Sequence, residues 1–171
     1  MSFNIENYIR DVKDFPKPGI IFKDITPLLA DANALQKTTD ALLELIPNHI
    51  DKVVGMEARG FFFGTLLADK LNAGFVPIRK PGKLPYKTYE ETYALEYGTD
   101  TLCMHIDAIQ PGERVLIHDD VLATGGTAQA VTKLVERAGG TVVMLNFLIE
   151  IAFLNGRDKL KGYDIGSLLV Y

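Results

Sequence analysis

Residues 115–127, Val115-Leu116-Ile117-His118-Asp119-Asp120-Val121-Leu122-Ala123-Thr124-Gly125-Gly126-Thr127, concentrate chemistry in one short stretch. An apolar strand delivers two adjacent carboxylates, a small-residue loop follows, and a helix begins. Glycines let backbone N–H groups close on an anion, Thr124 and Thr127 add hydroxyls, and a helix N-terminus adds partial positive charge. Residues Ala123, Thr124, Gly125, Gly126 and Thr127 therefore read as a phosphate cradle. The carboxylates of Asp119 and Asp120 would repel a phosphate, so they address something neutral or cationic. Sugar hydroxyls, which donate hydrogen bonds, and hydrated Mg²⁺ both fit. An ordinary capped strand–turn–helix is the bland alternative, but two carboxylates followed by Thr-Gly-Gly-Thr are costly to place by accident. Gly55 to Gly60 has the glycine spacing of a P-loop, yet Phe61 stands where its lysine belongs, and no Gly-x-Gly-x-x-Gly occurs.

Two cationic stretches accompany this loop. Glu57-Ala58-Arg59-Gly60 follows one strand and opens a helix, where an arginine is unfavourable beside the helix dipole unless an anion binds. Arg79, Lys80 and Lys83 place three cations within five residues, with Lys87 just beyond. They are a solvated basic loop or, in an acidic protein, a local attractor for a multiply charged anion. His118 reads as a packed, hydrogen-bonded histidine in preference to a His-Asp-Asp metal site. Cys103, in Thr-Leu-Cys-Met-His-Ile, reads as a packed strand residue, since nothing beside it lowers its pKa.

The elements that position these residues alternate. Short strands are expected at 53–56, 73–79, 114–118, 142–149 and 165–170, with Pro77 marking an edge strand or strand end. Helices are expected at 60–71, with Phe63, Leu66, Leu67 and Leu71 on one face, and from Thr127, ended by Gly139-Gly140. Further helices near 3–12 and 34–46 add cover. Strand–helix–strand alternation predicts an α/β fold, a central mostly parallel sheet flanked by helices. Ligands of such sheets bind at the carboxyl ends of the strands. Two segments break the pattern: 14–27, interrupted by Pro16, Pro18, Gly19 and Pro27, and 80–100, which is a functional loop or a small hairpin of its own.

The chain has 171 residues, of which 47% are hydrophobic, enough for one domain with a real core and no disulfide or metal staple. The lone cysteine points to a reducing, cytoplasmic setting. No signal pattern or membrane-length apolar run is present. With 18 basic and 22 acidic side chains the net charge is −4, which argues against sequence-independent nucleic-acid binding.

Residues 117–127 resemble the phosphoribosyl-diphosphate (PRPP) motif of type I phosphoribosyltransferases. The likeness extends over Asp14-Phe15-Pro16, 18–27 (PGIIFKDITP), Glu57-Ala58-Arg59-Gly60-Phe61, 79–85 (RKPGKLP) and Leu95-Glu96-Tyr97-Gly98, an ordered set similar to the adenine phosphoribosyltransferase branch. His118 departs from the pattern, where an apolar residue or an acid is more usual. The resemblance implies a purine salvage reaction, adenine plus PRPP giving AMP and pyrophosphate. The alternatives are a transferase for another purine base, a PRPP-sensing regulator, or an inactive interaction module.

The resemblance assigns Ala123–Thr127 to the 5′-phosphate and Asp119 and Asp120 to the ribose hydroxyls, with Arg59, Asp119, Asp120 and Glu96 as the catalytic set. It makes Ala58, Arg59 and Gly60 the pyrophosphate loop, often with an unusual peptide geometry. Arg79, Lys80 and Lys83 lie near the substrate and a homodimer interface. The base rests on Phe22, between the backbones of Ile21 and Lys23 in a hood segment, 14–27. Residues 80–100 supply a flexible lid. Mg²⁺ is the expected cofactor, held mainly by PRPP and water rather than by a protein metal site.

Overall fold

A computed structural model describes residues 3–95 and 98–171. Contacts divide the chain into two compact units, Met1–Glu44 and Leu45–Tyr171.

In the first unit, a 3₁₀ turn at Ile5–Tyr8 is capped by Asn4, whose Oδ1 accepts the Glu6 N–H at 3.0 Å. Strand β1 (Arg10–Lys13) pairs antiparallel with β2 (Ile21–Asp24), with Val12 opposite Phe22. This corrects the expected helix over 3–12. Asp14 adopts φ 57° and its carboxylate accepts the Gly19 N–H at 2.7 Å, turning the chain back. Residues 10–13 thereby gain a ladder from a partner that local periodicity does not reveal, while a helix so short has little stability of its own. Pro27 sits in the first turn of α1 (Thr26–Ala30), where its missing N–H costs nothing. Asp31 Oδ1 caps α2 (Ala32–Glu44) by accepting the Ala34 N–H at 2.8 Å, and Ala34, Thr38 and Leu42 form its buried stripe.

The second unit runs β3 (Lys52–Met56), α3 (Gly60–Leu71), β4 (Gly74–Ile78), β5 (Thr88–Ala94), β6 (Thr99–His105), β7 (Arg114–Leu122), α4 (Gly126–Arg137), β8 (Thr141–Glu150) and β9 (Ile165–Val170). Five of these strands form a parallel sheet in the order β4-β3-β7-β8-β9. Its core joins Val54, Ile78, Ile117, Leu145 and Phe147 of the strands to Val131, Leu134 and Val135 of α4. Pro77 lies on the edge strand β4, as its missing N–H requires. Gly139, at φ 90°, closes the end of α4 as expected.

The strand order fixes where a ligand belongs. From β3 the chain moves outward to β4, and from β7 it moves the other way, to β8 and β9. Neighbouring β3 and β7 therefore flank a topological switch point, whose crevice opens at their carboxyl ends. The register sets Gly55 opposite His118, so the residues after Met56 emerge beside Asp119 and Asp120.

Two boundaries differ from expectation. Strand β7 continues to Leu122 instead of ending at His118, because β8 pairs with it along that length, Asp119 opposite Phe147 and Leu122 opposite Glu150. The two carboxylates are strand residues, not loop residues. Much of segment 80–100 is the antiparallel hairpin β5–β6, with Thr88 opposite His105 and Ala94 opposite Thr99. Tyr89, Glu91 and Tyr93 turn inward at period two, but the charged Glu91 hides that alternation from an apolar pattern.

Candidate active site

Strand alternation sends Asp119 and Asp120 to opposite faces. Asp119 lines an open cleft of about 320 Å³ with Met56, Val121, Ala123, Thr124, Gly125, Thr127 and Ala128. Asp120 is 2% exposed, and its Oδ2 lies 3.1 Å from Nε of Arg59, the residue just before α3. Asp119 Oδ1 accepts the backbone N–H of Asp120 at 2.8 Å. Burial raises the pKa of Asp119 well above the usual carboxylate range, and the neighbouring charge of Asp120 pushes it further. Burial raises Asp120 as well, opposed by the Arg59 charge. Asp120 Oδ2 has the ion pair but no aligned hydrogen-bond donor among the described residues. A buried carboxylate oxygen left so is unfavourable, and a ligand hydroxyl would relieve it.

The loop after β7 is built for close backbone approach. Gly125 precedes α4 at φ 77°, and any Cβ there would collide with the carbonyl of Gly156. The converse holds too, for a Cβ at Gly156 would strike the carbonyl of Ala123. These reciprocal fits seat the loop on the 3₁₀ segment Gly156–Leu160. That segment is anchored by Arg157, whose guanidinium grips the Glu150 carboxylate through Nε at 2.7 Å and Nη2 at 2.6 Å. Among the described residues no side-chain hydrogen bond caps α4, which leaves the N–H groups of its first turn available to an anion.

The Glu57–Ala58 peptide is cis, which matches the unusual geometry expected of this loop. Gly60 is required by packing, since a Cβ would come within 2.8 Å of the His118 carbonyl and 3.0 Å of Asp119 Oδ1. Glu57 accepts the Lys80 backbone N–H at 2.6 Å and the Arg79 Nε–H at 3.0 Å. Burial opposes its ionisation, yet these two donors hold its pKa below the ordinary range. The Lys80 ammonium pairs with Asp100, while Lys83 is exposed. Arg79 is further fixed by mutual backbone hydrogen bonds with Cys103, at 3.0 and 2.8 Å. Cys103 is buried in β6, and burial pushes its thiol pKa up, so it is inert as expected.

In the first unit, Phe22 is half-buried and meets Phe15 edge-on at 5.1 Å between ring centroids. Ile21 is exposed, and Lys23 pairs with Asp11 at 2.7 Å. Glu96 lies outside the described residues. His118 is fully buried, 2.9 Å from Asn146 Oδ1 through Nδ1 and edge-on to Phe63, and burial lowers its pKa to about 4. It is a neutral packing group. On the cleft wall the hard oxygen donor is Asp119, with Asp120 next to it in β7, donors whose chemistry fits Mg²⁺.

Of the residues expected at the site, Arg59 meets Asp120, and Asp119 shares the cleft wall with Ala123, Thr124, Gly125 and Thr127. It missed Glu57, which clamps the basic segment, and Gly156, which floors the loop. The signal for Glu57 was its place one residue beyond β3, opposite the end of β4. For Gly156 no local signal exists.

A parallel sheet with carboxylates, a glycine loop and an arginine loop gathered at its switch point defines the phosphoribosyltransferase class. The profile described as "Phosphoribosyl transferase domain" matches residues 23–163. The adenine phosphoribosyltransferase of Flavobacterium johnsoniae is 61% identical, covering 98% of this chain and 99% of its own. The crystal structure of the Rhodothermus marinus enzyme of that name superposes with a TM-score of 0.93 at 57% identity, covering 98% of this chain and 96% of its own. The Saccharomyces cerevisiae enzyme, complexed with an imino-altritol 1,6-bisphosphate and adenine, gives 0.92 at 41% identity, covering 96% of each chain. The chain belongs to the adenine phosphoribosyltransferase family.

Proposed function

We propose that this chain transfers the 5-phosphoribosyl group of PRPP to adenine, releasing pyrophosphate and forming AMP, as a purine salvage enzyme. The observation that carries the reading is the Asp119–Asp120 pair, Asp119 on the cleft wall beside a glycine-rich helix start and buried Asp120 paired with Arg59. The S. cerevisiae relative's complex with adenine supports the choice of base.

The 5′-phosphate sits in Ala123–Thr127, where amide N–H groups and the α4 dipole meet its charge. Asp119 and Asp120 accept hydrogen bonds from the ribose 2′- and 3′-hydroxyls, which add an aligned donor to the ion-paired Asp120 Oδ2. As the bond from C1′ to pyrophosphate breaks, positive charge develops on the ribose, and the same carboxylates favour it. Ala58, Arg59 and Gly60 hold the pyrophosphate. Arg59 is shared between Asp120 and the incoming anion, so it strengthens on the phosphate as charge builds on the leaving group. Arg79, Lys80 and Lys83 add attraction for PRPP. Mg²⁺, when bound with PRPP, would be held mainly by PRPP oxygens and water and would supply neutralisation of the leaving pyrophosphate.

Adenine stacks on Phe22 and reads the backbones of Ile21 and Lys23. Glu96 handles the proton of the purine imidazole. Residues 80–100 supply a lid that keeps water from PRPP. The family match at 23–163 supports reading 1–171 as a single phosphoribosyltransferase domain. The protein works as a cytoplasmic homodimer, in keeping with a buried, reduced Cys103.

The test is to incubate the chain with PRPP, Mg²⁺ and adenine and follow products by chromatography. AMP and pyrophosphate should appear in equal amounts. PRPP binding without any product would leave a sensor in place of an enzyme.

A further inference from the structure

The hairpin β5–β6 is fastened along α4 by its inward row. Glu91 pairs with Lys133 at 3.0 Å, Arg137 lies over the Tyr89 ring at 4.8 Å, and Tyr93 packs against the core with its hydroxyl directed at the loop end of α4. There the hydroxyl of Thr127 donates to the Tyr93 oxygen at 3.1 Å. Tyr93 in turn donates, over a longer 3.4 Å, to Asp100 Oδ2, the carboxylate oxygen that also takes the Lys80 ammonium. Asp100 keeps a separate anchor through Oδ1, which accepts the Thr101 N–H at 2.8 Å. Four residues from three segments thus form one chain of donors and acceptors, Thr127 to Tyr93 to Asp100 to Lys80.

A threonine hydroxyl has one proton. Thr127 spends that proton on Tyr93. To bind a phosphate oxygen it must turn the proton away, which leaves its own oxygen needing a donor. Tyr93 is the group in place to provide one, by rotating its proton from Asp100 to Thr127. No proton changes owner, and Asp100 stays satisfied by Lys80 and Thr101. Chained this way, each hydrogen bond polarises the next, so Thr127 becomes the stronger donor to the anion.

We infer that Tyr93 is a positioning residue for the 5′-phosphate site: its hydroxyl holds Thr127 in both states, as acceptor when the site is free and as donor when phosphate is bound. The inference rests on the phosphate assignment of Ala123–Thr127 made above. It adds a residue outside the loop that sets how well the loop binds.

The experiment is calorimetric binding of ribose 5-phosphate, PRPP and inorganic pyrophosphate to the full chain and its variants. Tyr93→Phe keeps the ring and its packing. It should weaken ribose 5-phosphate and PRPP by about fivefold to tenfold, one hydrogen bond's worth, and leave pyrophosphate within about twofold. In a Thr127→Val background, Tyr93→Phe should add nothing. Unchanged ribose 5-phosphate binding, equal weakening of pyrophosphate, or multiplying effects in the double variant would each overturn the inference. Asp100→Asn reports on the chain from its other end, should Tyr93→Phe not fold. A poorer acceptor at 100 eases the rotation, so ribose 5-phosphate should bind about twofold tighter; equal or weaker binding contradicts the proposal. A wild-type chain that binds neither PRPP nor ribose 5-phosphate is a different failure, that of the phosphate site itself.

Discussion

Arg59 Nε stands 3.1 Å from Asp120 Oδ2, joining the loop after β3 to the carboxyl end of β7 across the switch point of the sheet. Arginine at a helix start and carboxylate in a buried strand are each unfavourable alone. Together they are tolerable, and each keeps capacity for substrate. Asp120 retains an oxygen without an aligned donor, and Arg59 keeps 40% of its side chain exposed.

Replacing Asp119 and Asp120 together by Asn is expected to cut kcat by about 10²–10³-fold or more, as loss of aligned electrostatic groups does. Folding should not suffer. Both carboxyls have raised pKa values in the fold, so the folded chain binds their protons more tightly than the unfolded one. Their contribution to stability is therefore full at low pH and lost as pH rises through the folded pKa. The double variant should melt no lower than wild type at pH 7, with any advantage shrinking toward pH 4. Thermal melts at both pH values, beside steady-state kinetics, check this.

His118 works in the opposite sense. Its pKa falls from 6.5 to about 4 on folding, through burial, so the unfolded chain takes up a proton that the folded chain refuses. Stability from this group is present above pH 6.5 and is lost as pH falls toward 4, by at most about 3 kcal/mol. Denaturant titrations from pH 7 to 4 should show a flatter decline in His118→Leu than in wild type. Its starting stability will be lower, because the buried His118–Asn146 hydrogen bond is lost.

Gly156 lies outside every recognisable motif, yet a side chain there meets the Ala123 carbonyl and the Leu122 side chain, at 3.0 Å from Cδ1. Gly156→Ala should displace the phosphate loop. The expected outcome is KM for PRPP raised by about tenfold or more, with stability lower by about 1–3 kcal/mol from overpacking. Initial rates at varied PRPP and a denaturation curve separate the two effects.

Glu57→Gln tests the clamp on the basic segment. It weakens two charge-assisted hydrogen bonds, to Lys80 N–H and Arg79 Nε–H. KM for PRPP should rise about threefold to tenfold while kcat changes less, and stability at pH 7 should fall by about 1 kcal/mol. Since the folded pKa of Glu57 is lowered, the difference from wild type should close as pH falls through it.

What the sequence made legible depended on how local the cause was. The α3 and α4 helices and the parallel strands announce themselves through apolar periodicity, and the carboxylate pair with its glycine loop is contiguous. The 3–12 stretch reads as helix because β1 owes its form to partners eight to fourteen residues away, beyond the Asp14–Gly19 turn. The inward row Tyr89, Glu91, Tyr93 escaped because an ion pair to Lys133 replaces one apolar contact. The true end of β7 is set by β8, and the floor under Gly125 by Gly156. Pairing and close backbone approach across the fold leave no trace in either stretch alone.

The central claim is the reaction and its base. The most direct measurement offers PRPP and Mg²⁺ with adenine, hypoxanthine, guanine and xanthine in separate reactions, and quantifies each nucleotide by chromatography. The account predicts AMP from adenine, with IMP, GMP and XMP at least about 10²-fold slower, because a backbone pattern matched to adenine leaves polar groups unpaired against an oxo purine. Faster turnover of any other base would contradict the assignment of Ile21, Phe22 and Lys23 while leaving the phosphate site standing. No nucleotide from any base would contradict the enzyme itself.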